Sequence, residues 1–303
     1  MKSSKNIIVV TGGAGFVGSN LILLLLKKTK LKIISLDNYS SGKKINHIKN
    51  NRVKYINGHT KNIASIVKNK KNKIQTIFHF GEFSRIYQSF LNMNECIESN
   101  SVGTNAVFNF CLKHDIKLIY SATSASLGNK GRDKNLSPYA FTKSKNLEML
   151  ENLKKWFKMK YEVIYFYNVY GPGQIESGPM STVIGIFENY YKRKKQLPIV
   201  KPGTQSRRFT HINDTVNICY LAWKRNLCRH YSISNKKSYS INQVAKLFQS
   251  KIYYLPPRKG ERYASALTRF SQSNKIYVYH GILKLSDYVS AFLKKYNNET
   301  RFN

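Results

Sequence analysis

Three glycines stand at three-residue spacing directly after the first apolar run of the chain. In VVTGGAGFVGSN, Gly12, Gly15 and Gly18 separate the run Asn6–Val10 from a stretch that predicts a helix to about Lys28. The first glycine suits a tight turn, the second lets the backbone approach a pyrophosphate at the positive helix N-terminus, and the third lets helix and strand pack closely. This order of strand, glycine turn and helix predicts a dinucleotide-binding unit.

An acidic residue completes this unit about twenty residues further on. Asp37 ends the second predicted strand, Lys32–Asp37. Its carboxylate can hold both ribose hydroxyls of NAD and would repel the 2′-phosphate of NADP. Lys43 and Lys44 soften that preference, because either could bind a phosphate. We therefore expect NAD as the cofactor.

Apolar runs alternate with helical stretches through the first half of the chain. Alternation of this kind predicts a parallel sheet with helices on both faces, and the rhythm breaks after Tyr170. We predict an α/β protein: a Rossmann-type doubly wound sheet in residues 1–169, joined by part of 208–235, and a smaller α/β substrate-binding part in 170–303. Further predicted strands are Val53–Asn57, Gln75–Phe80, Lys117–Ala122 and Glu162–Val169, and the longest predicted helices are Asn92–Lys113 and Pro138–Lys158.

The composition limits the location of the protein and its redox chemistry. No apolar run approaches the roughly 18 residues that a membrane span needs, and the glycines after the charged, briefly apolar N-terminus argue against a signal peptide. Four cysteines lie far apart in 303 residues and predict buried free thiols in the cytoplasm. Cys219, Cys228 and His230 fit no common zinc spacing, so we expect no metal.

The net charge of +36 has two interpretations. It could indicate a polyanionic partner such as nucleic acid, or it could reflect a general compositional drift towards Lys, Asn, Ile and Tyr. The basic residues are dispersed, and the short runs Lys68–Lys73 and Lys192–Lys195 lack the aromatic-glycine pattern of an RNA-binding sheet. We expect no specific nucleic-acid partner, although non-specific binding to polyanions at low salt fits either interpretation.

A Tyr-x-x-x-Lys spacing places a tyrosine and a lysine on one helix face, where the phenol could serve as a general acid and base. SPYAFTKSK contains such a pair in Tyr139 and Lys143. The spacing alone decides nothing, because it also occurs at Tyr39/Lys43, Tyr190/Lys194, Tyr191/Lys195 and Tyr220/Lys224.

A set of motifs in order along nearly the whole chain resembles the extended short-chain dehydrogenase/reductase family. The resemblance is to its NAD-dependent nucleotide-sugar epimerase/dehydratase branch, of which UDP-glucose 4-epimerase is the best-known activity. The motifs that carry it, besides the glycine spacing, are LDNYSSGKK, IFHF, NSVGT, YSATSASLG, SPYAFTKSK, FYNVYGPGQ, PGTQSRRFTHINDT and RKGE.

The resemblance selects one of the five tyrosine–lysine pairs and implies a mechanism. Only Tyr139/Lys143 follows a polar Ser/Thr loop at a strand end and opens a long helix. Tyr139 would take a proton from a sugar hydroxyl while hydride leaves the same carbon for bound NAD. Lys143 would lower the phenol pKa and hold the nicotinamide ribose. Thr123 would orient the sugar oxygen, with Ser124 as its close competitor.

The resemblance also implies contact residues for each ligand and a homodimer through helices around Asn92–Lys113 and Tyr139–Lys158. Asn100 is the motif asparagine that supports the active site, and the arginines suit a diphosphate because they bind it bidentately. The implied cofactor contacts are Gly12, Gly15, Phe16, Val17, Asp37, Asn38, Phe80, Gly81, Asn100, Tyr139 and Lys143. The implied substrate contacts are Ser84, Arg85, Thr123, Tyr139, Asn168, Arg207 and Arg258.

The residues after Thr123 favour one reaction within the branch. Dehydratases place acids there, whereas this chain has Ser124, Ala125 and Ser126. We therefore expect epimerisation of a nucleotide sugar, with a UDP-hexose and C4 favoured, by return of the hydride to the opposite face. A dehydratase, decarboxylase or reductase on the same scaffold is the alternative, and a non-catalytic NAD- or nucleic-acid-binding protein is a remote one.

Three positions depart from the family pattern. Glu82 stands where a small residue is usual, and Arg85 could pair with it or bind a negatively charged sugar such as a uronic acid. His59 replaces an aspartate that reads adenine. Arg208 follows Arg207 where an acid is usual, so which arginine binds the nucleotide stays open.

Overall fold

The chain forms one large parallel sheet in a computed structural model that describes residues 5–127, 134–260 and 276–299. The strands are β1 (Ile7–Thr11), β2 (Lys32–Asp37), β3 (Val53–Asn57), β4 (Ile74–His79), β5 (Lys117–Thr123), β6 (Tyr161–Phe166), β7 (Val169–Tyr170), β8 (Leu197–Val200), β9 (Ser206–Arg208), β10 (Thr210–His211), β11 (His230–Ser234), β12 (Ser238–Ser240), β13 (Ile252–Leu255) and β14 (Ile276–His280). Eight of them pair in the order β14-β11-β6-β5-β4-β1-β2-β3, and every pairing in this sheet is parallel. The Rossmann-type α/β fold is therefore confirmed.

Helices cover both faces of this sheet. They are α1 (Phe16–Lys28), α2 (Ile63–Ile66), α3 (Ile86–Leu91), α4 (Met93–Ile97), α5 (Thr104–Lys113), α6 (Ser124–Leu127), α7 (Pro138–Phe157), α8 (Val183–Lys192), α9 (Ile212–Arg225), α10 (Ile241–Leu247) and α11 (Leu285–Glu299). A π-helical segment, Glu98–Gly103, joins α4 to α5, and 3₁₀ turns occupy Lys44–Asn46, Thr60–Asn62 and Lys68–Lys73. Among the described residues, no helix is long and apolar enough to cross a bilayer.

The apolar strands are continuous because the sheet is buried on both sides. All five residues of β1 are buried. One face packs against α5 and α7 through Phe108 and Leu150, and the other packs against α1 and α9 through Leu21 and Cys219. The central strands are thereby fixed, and their carboxyl ends meet at one edge of the sheet, where ligands bind in folds of this class.

Two predicted elements are interrupted in the structure. The stretch Glu162–Val169 is not one strand: β6 ends at Phe166, since Asn168 takes a positive φ of 32° that ends the extended run. The stretch Asn92–Lys113 is not one regular helix, because the π-helical segment divides it. The other five predicted strands agree within one residue at each end.

The C-terminal part builds a second core beside the carboxyl edge of the sheet. Its buried residues include Phe187 on α8, Ile199 on β8, Val244 on α10 and Val289 on α11. The chain does not stay there, because β11 pairs with β6 and β14 pairs with β11 in the main sheet. The second core is therefore tied to the sheet at more than one point.

Candidate active site

A cleft of about 520 Å³ opens at the carboxyl edge of the sheet, between the strand ends and the second core. Residues predicted from distant parts of the sequence come together in it. Its C-terminal wall is largely apolar, formed by side chains such as Phe187, Val200 and Phe209. The predicted site residues that line it are Gly12, Gly15, Phe16, Val17, Asp37, Asn38, Phe80, Gly81, Ser84, Arg85, Thr123, Ser124, Tyr139, Lys143, Asn168, Arg207 and Arg258.

Of the three glycines in the turn, only Gly15 has open space in front of it for a ligand. Gly12 has a φ of +68°, and a Cβ there would lie 2.8 Å from the backbone of Phe80 and Gly81. A Cβ on Gly18 would lie 2.1 Å from the Gly12 oxygen. At Gly15 the single heavy atom within 4 Å of such a Cβ is the Gly12 oxygen, at 3.2 Å. The space in front of Gly15 is thus a cradle that a side chain would fill, and it fits a pyrophosphate at the N-terminus of α1.

Asp37 lies beside this cradle, held by backbone amides. Its Oδ2 accepts a hydrogen bond from Ala14 N at 2.9 Å, and its Oδ1 accepts one from Tyr39 N at 2.8 Å. Burial raises the pKa of the carboxyl group, and these amides act in the opposite direction. The Gly15 amide also binds the carboxylate, and of its roughly four lone-pair sites one stays open to accept from a ribose hydroxyl.

Tyr139 lies at the start of α7, where Ser137 caps the helix by accepting from Ala140 N at 3.1 Å. The cap and Pro138 at the first helical position fix the helix start. The Thr123 hydroxyl, at the end of β5, hydrogen-bonds the Tyr139 phenol. Ser124 lines the cleft as the first residue of α6. The structure therefore places a hydroxyl pair, Thr123 and Tyr139, at the floor of the cleft.

Lys143 lies one turn further along α7 and is almost fully buried. Its ammonium donates to the Ser121 carbonyl and to the Glu82 carboxylate, and it lies 4.8 Å from the centre of the Tyr120 ring. The ion pair with Glu82 is the main departure from expectation, because Arg85 was the partner considered for that carboxylate. Arg85 instead donates from Nε and Nη2 to the Met180 carbonyl, at 3.0 and 2.6 Å.

The phenol pKa is also different from the one expected. We expected Lys143 to lower it, but burial raises the pKa of Tyr139 to about 12. The Thr123 hydrogen bond and the Arg85 charge lower it, whereas the Glu82 charge raises it. Burial also disfavours the charged form of Lys143 and so lowers its pKa, and the Glu82 charge opposes that effect. The lysine charge is therefore largely balanced by its carboxylate partner rather than available to the phenol.

The other four tyrosine–lysine pairs lie elsewhere. Tyr39 is in the loop after β2, Tyr190 and Tyr191 are on α8, and Tyr220 is on α9. None of these tyrosines lines the cleft. Spacing alone could not have separated them from Tyr139, but their positions in the fold do.

Asn100 does not line the cleft, unlike the other predicted residues. It is fully buried in the π-helical segment. Its Oδ1 accepts from Phe83 N at 2.6 Å, and its Nδ2 donates to Phe83 O at 3.1 Å and to Thr142 Oγ1 at 3.2 Å. Its side chain therefore joins the loop after β4 to α7, which supports the site from behind.

The structure separates the two neighbouring arginines. On β9 successive side chains point to opposite faces, and Arg207 lines the cleft whereas Arg208 is not among the lining residues. Asn168 lines the cleft and donates to Arg208 O at 2.8 Å. Arg258 is exposed at the rim, with its guanidinium 5.3 Å from the centre of the Tyr87 ring. Glu261, the last residue of the RKGE motif, lies outside the described residues.

A buried polar chain behind the site was not found from the sequence. Thr11 Oγ1 lies 2.7 Å from His79 Nδ1, and His79 Nε2 lies 3.0 Å from Thr104 Oγ1, which donates to Glu82 Oε1 at 3.0 Å. The only available signal was that these polar residues fall in otherwise apolar segments. His59, at the supposed adenine position, lines the cleft and accepts from Lys61 N at 3.1 Å.

A doubly wound sheet with a glycine turn, an acid after β2 and a Tyr/Lys pair behind a strand-end hydroxyl defines the extended short-chain dehydrogenase/reductase class. Within it, the chain belongs to the NAD-dependent epimerase/dehydratase family, whose model matches residues 8–234.

Three relatives illustrate the similarity. The chain is 26% identical over 274 residues to a putative UDP-glucose 4-epimerase of Methanocaldococcus jannaschii, covering 84% of this chain and 88% of that protein. It is 31% identical over 229 residues to ADP-L-glycero-D-manno-heptose-6-epimerase of Brachyspira hyodysenteriae, covering 70% of each. The crystal structure of UDP-glucose 4-epimerase from Thermotoga maritima with UDP-glucose superimposes with a TM-score of 0.84 at 24% identity, over 97% of this chain and 99% of that one. The protein is therefore an enzyme of the epimerase/dehydratase family.

Proposed function

We propose that the protein is an NAD-dependent epimerase of a nucleotide sugar, with a UDP-hexose and its C4 carbon as the favoured substrate and position. The observation that carries the proposal is the Thr123–Tyr139 hydroxyl pair at the floor of a cleft that also contains the Gly15 cradle and Asp37. Such a cleft brings a sugar hydroxyl and a dinucleotide to the same place. The epimerase relatives from two organisms support the same reaction class.

The residues that line the cleft fit NAD, and each has a separate role in the proposed reaction. NAD, when bound, supplies the group that accepts hydride from the sugar carbon and returns it. Asp37, held beside the turn by Ala14 N, would hold the adenine ribose, and the open face of Gly15 would admit the pyrophosphate. Thr123 orients the sugar hydroxyl, and Tyr139 takes its proton and later gives it back. The pKa of about 12 already includes the Arg85 charge, and the positive charge of NAD+, when bound, would lower it further and so favour proton transfer at neutral pH.

The acids of the cleft argue for epimerisation over dehydration. Asp37 and Glu82 are the carboxylates among the described residues that line it. The first is bound by two loop amides and the second is paired with Lys143, so neither is placed to eliminate water from a sugar. Epimerisation needs only the returning hydride and the Tyr139 proton.

Arginines at the outer part of the cleft are suited to the diphosphate. Arg207 and Arg258 line that part, and a guanidinium can bind a phosphate through two parallel hydrogen bonds. Ser84 and Arg85, in the loop after β4, face the sugar region together with Asn168. These five residues are our proposed substrate contacts in addition to the hydroxyl pair.

The test is product analysis with purified protein. We expect interconversion of two UDP-hexoses in an NMR assay without net NADH, and loss of at least about 100-fold in kcat in Tyr139→Phe, the range for general acid–base catalysis. Thr123→Ala and Ser124→Ala separate the two candidate hydroxyls, since only the first should reduce kcat strongly. Release of water, carbon dioxide or stoichiometric NADH would contradict epimerisation, and full activity of Tyr139→Phe would contradict the mechanism.

We further propose a homodimer through the face formed by α3, α4 and α7. Apolar side chains are exposed there, namely those of Leu91, Met93, Ile97 and Phe141. A cluster of this kind is typical of an interface. Light scattering should give twice the mass of one chain, and Ile97→Glu should shift the mass towards the monomer. A monomeric wild-type protein would contradict the proposal.

A further inference from the structure

Glu82, in the loop after β4, contacts three other elements, α5, α7 and β5, close to the Tyr139 side of the cleft. Its side chain is 2% exposed and its carboxylate binds Lys143 of α7 through Oε2. Its Oε1 accepts from Tyr120 OH at 3.0 Å, from Thr104 Oγ1 at 3.0 Å and from Asn146 Nδ2 at 3.3 Å. A carboxylate buried this completely remains charged only when its lone pairs are satisfied, and here each oxygen has a partner.

The directions of the hydrogen bonds behind Glu82 can be assigned by counting protons. The Thr104 hydroxyl has two acceptors within reach, Glu82 Oε1 at 3.0 Å and Ser99 O at 3.4 Å; its single proton goes to the nearer and charged one, so its oxygen accepts from His79 Nε2. Burial lowers the pKa of His79 to about 4, so the ring is neutral and Nδ1 accepts from the Thr11 hydroxyl. Thr11 Oγ1 in turn accepts from Phe80 N and Gly81 N. In this chain each donor is directed towards Glu82, so hydrogen bonds connect the carboxylate to Thr11 at the end of β1.

The backbone on either side of Glu82 is held by further hydrogen bonds. Glu82 N donates to Phe80 O at 2.9 Å, and Asn100 holds Phe83 through both of its backbone groups. The carboxylate is therefore held in place by groups other than Lys143, namely these backbone bonds and the donors to Oε1. Lys143 has two fixed acceptors, Glu82 and the Ser121 carbonyl, and these set where its ammonium lies.

We propose that Glu82 is a positioning residue that fixes the Lys143 ammonium against Ser121 and balances its charge beside Tyr139. The inference rests on the proposed function, in which Tyr139 exchanges a proton with the sugar. Glu82 touches neither the phenol nor, on this proposal, the substrate. It acts through Lys143 and through its own electric field, which burial of its side chain leaves poorly screened.

Removal of the Glu82 charge should move two titrations in the same direction. An anion disfavours the phenolate and favours the ammonium, so its loss lowers the pKa of Tyr139 and the pKa of Lys143 together. A merely structural loss would reduce the height of a pH–rate profile without moving both limbs. The other groups facing Tyr139 are Thr123 and Tyr120 on β5, Arg85 in the loop after β4 and Cys96 on α4. Those facing Lys143 are Cys96 on α4 and the His79 and Tyr120 rings of β4 and β5.

The first test needs no substrate. Protein carrying ¹³Cζ-tyrosine is titrated by NMR, and the Tyr139 signal is identified by its disappearance in Tyr139→Phe. In Glu82→Gln we expect the Tyr139 signal to titrate about one pH unit lower than in the wild type, or more. Glu162→Gln is the matched control, because Glu162 is also buried and paired with a lysine, Lys117, but does not line the cleft. It should leave the Tyr139 signal unchanged.

The second test is the pH profile of kcat. We expect the acid limb, which reports Tyr139, and the alkaline limb, which reports Lys143, each to move to lower pH by about one unit in Glu82→Gln. Glu82→Asp keeps the charge, so both limbs should stay in place while the maximum of kcat falls. If Glu82→Gln does not fold, Lys143→Met serves in its place: it leaves the Glu82 charge unbalanced, so the Tyr139 signal should titrate higher. Unmoved signals and limbs in these variants would overturn the inference even if the enzyme is an epimerase. A moved Tyr139 signal in a protein that epimerises no sugar would uphold the inference and refute the proposed function instead.

Discussion

The buried Glu82–Lys143 pair makes a quantitative prediction about stability. The side chains of Lys143 and Glu82 are 5% and 2% exposed, so removal of either partner leaves an orphan charge away from water. Such a charge costs about 3–5 kcal/mol, whereas replacement of both partners by neutral groups of similar volume is often close to neutral. We therefore expect Glu82→Gln and Lys143→Met each to lose about 3–5 kcal/mol, and the double variant to lose far less than their sum.

Urea unfolding measures this coupling directly. The four proteins of the cycle are unfolded at one pH and one NAD concentration, because bound cofactor itself stabilises the folded state. Because each single variant should lose about 3–5 kcal/mol and the double variant far less than their sum, we expect a coupling energy of at least about 3 kcal/mol. The exposed pair Lys160–Asp115, with side chains 56% and 75% exposed, provides the control cycle, and its coupling should stay below about 1 kcal/mol.

A coupling below about 1 kcal/mol for Glu82 and Lys143 would refute the reasoning. It would mean that water reaches the pair or that the carboxylate is protonated in the folded protein. Equal coupling in the buried and exposed cycles would have the same consequence. In either case the argument that Glu82 balances the lysine charge would lose its electrostatic basis.

Substitutions at three other places test separate features of the site by unfolding, cofactor binding and the pH dependence of kcat. Burial lowers the pKa of His79 from its ordinary 6.5 to about 4, so the neutral ring keeps its full contribution to stability above pH 6.5. About 3 kcal/mol of the free energy of unfolding is lost as the pH falls from 6.5 to about 4. A plot of the urea midpoint against pH should therefore be flatter in His79→Gln than in the wild type, but not in the exposed His280→Gln. Gly15→Ala should leave the urea midpoint near that of the wild type but weaken NADH binding, measured by fluorescence. Gly18→Ala should lower the urea midpoint, because its Cβ would lie too close to Gly12. Equal midpoints for the two variants would contradict that close approach. Arg85→Met should raise the Tyr139 pKa and shift the acid limb of the kcat profile to higher pH, because the Arg85 charge lowers that pKa; an unmoved limb would show that this charge does not reach the phenol.

Local signals made part of this structure predictable. The glycine turn, the strand Lys32–Asp37 and the start of α7 each follow from residues adjacent in the sequence, where turn geometry, burial and capping act over a few positions. The cleft residues could be grouped because the carboxyl ends of parallel strands meet at one edge. Asn100 was assigned to the cofactor on resemblance alone, and the structure shows its amide bound to Phe83 and Thr142 instead.

The remainder depended on three-dimensional placement. Glu82 and Lys143 are 61 residues apart, and the sequence offered Arg85 as a nearer cation for the carboxylate. Only the packing of α7 against the loop after β4 decides between them. In the same way, Arg207 and Arg208 are separated by the register of β9 with β12, which turns one side chain towards the cleft. The pKa of Tyr139 depends on the sum of burial and several charges, and the tyrosine–lysine spacing carries neither quantity.

The position of β11 in the sheet has a consequence for how the chain folds during synthesis. Its residues His230–Tyr231–Ser232 pair with Val163–Ile164–Tyr165 of β6, so more than sixty residues leave the ribosome between the two partners. Until β11 arrives, β6 is an edge strand with unpaired backbone groups and apolar side chains, which is a surface prone to aggregation. A nascent chain halted before His230 should therefore depend on chaperones more than the full chain does, even though all of β1 to β6 has already been synthesised.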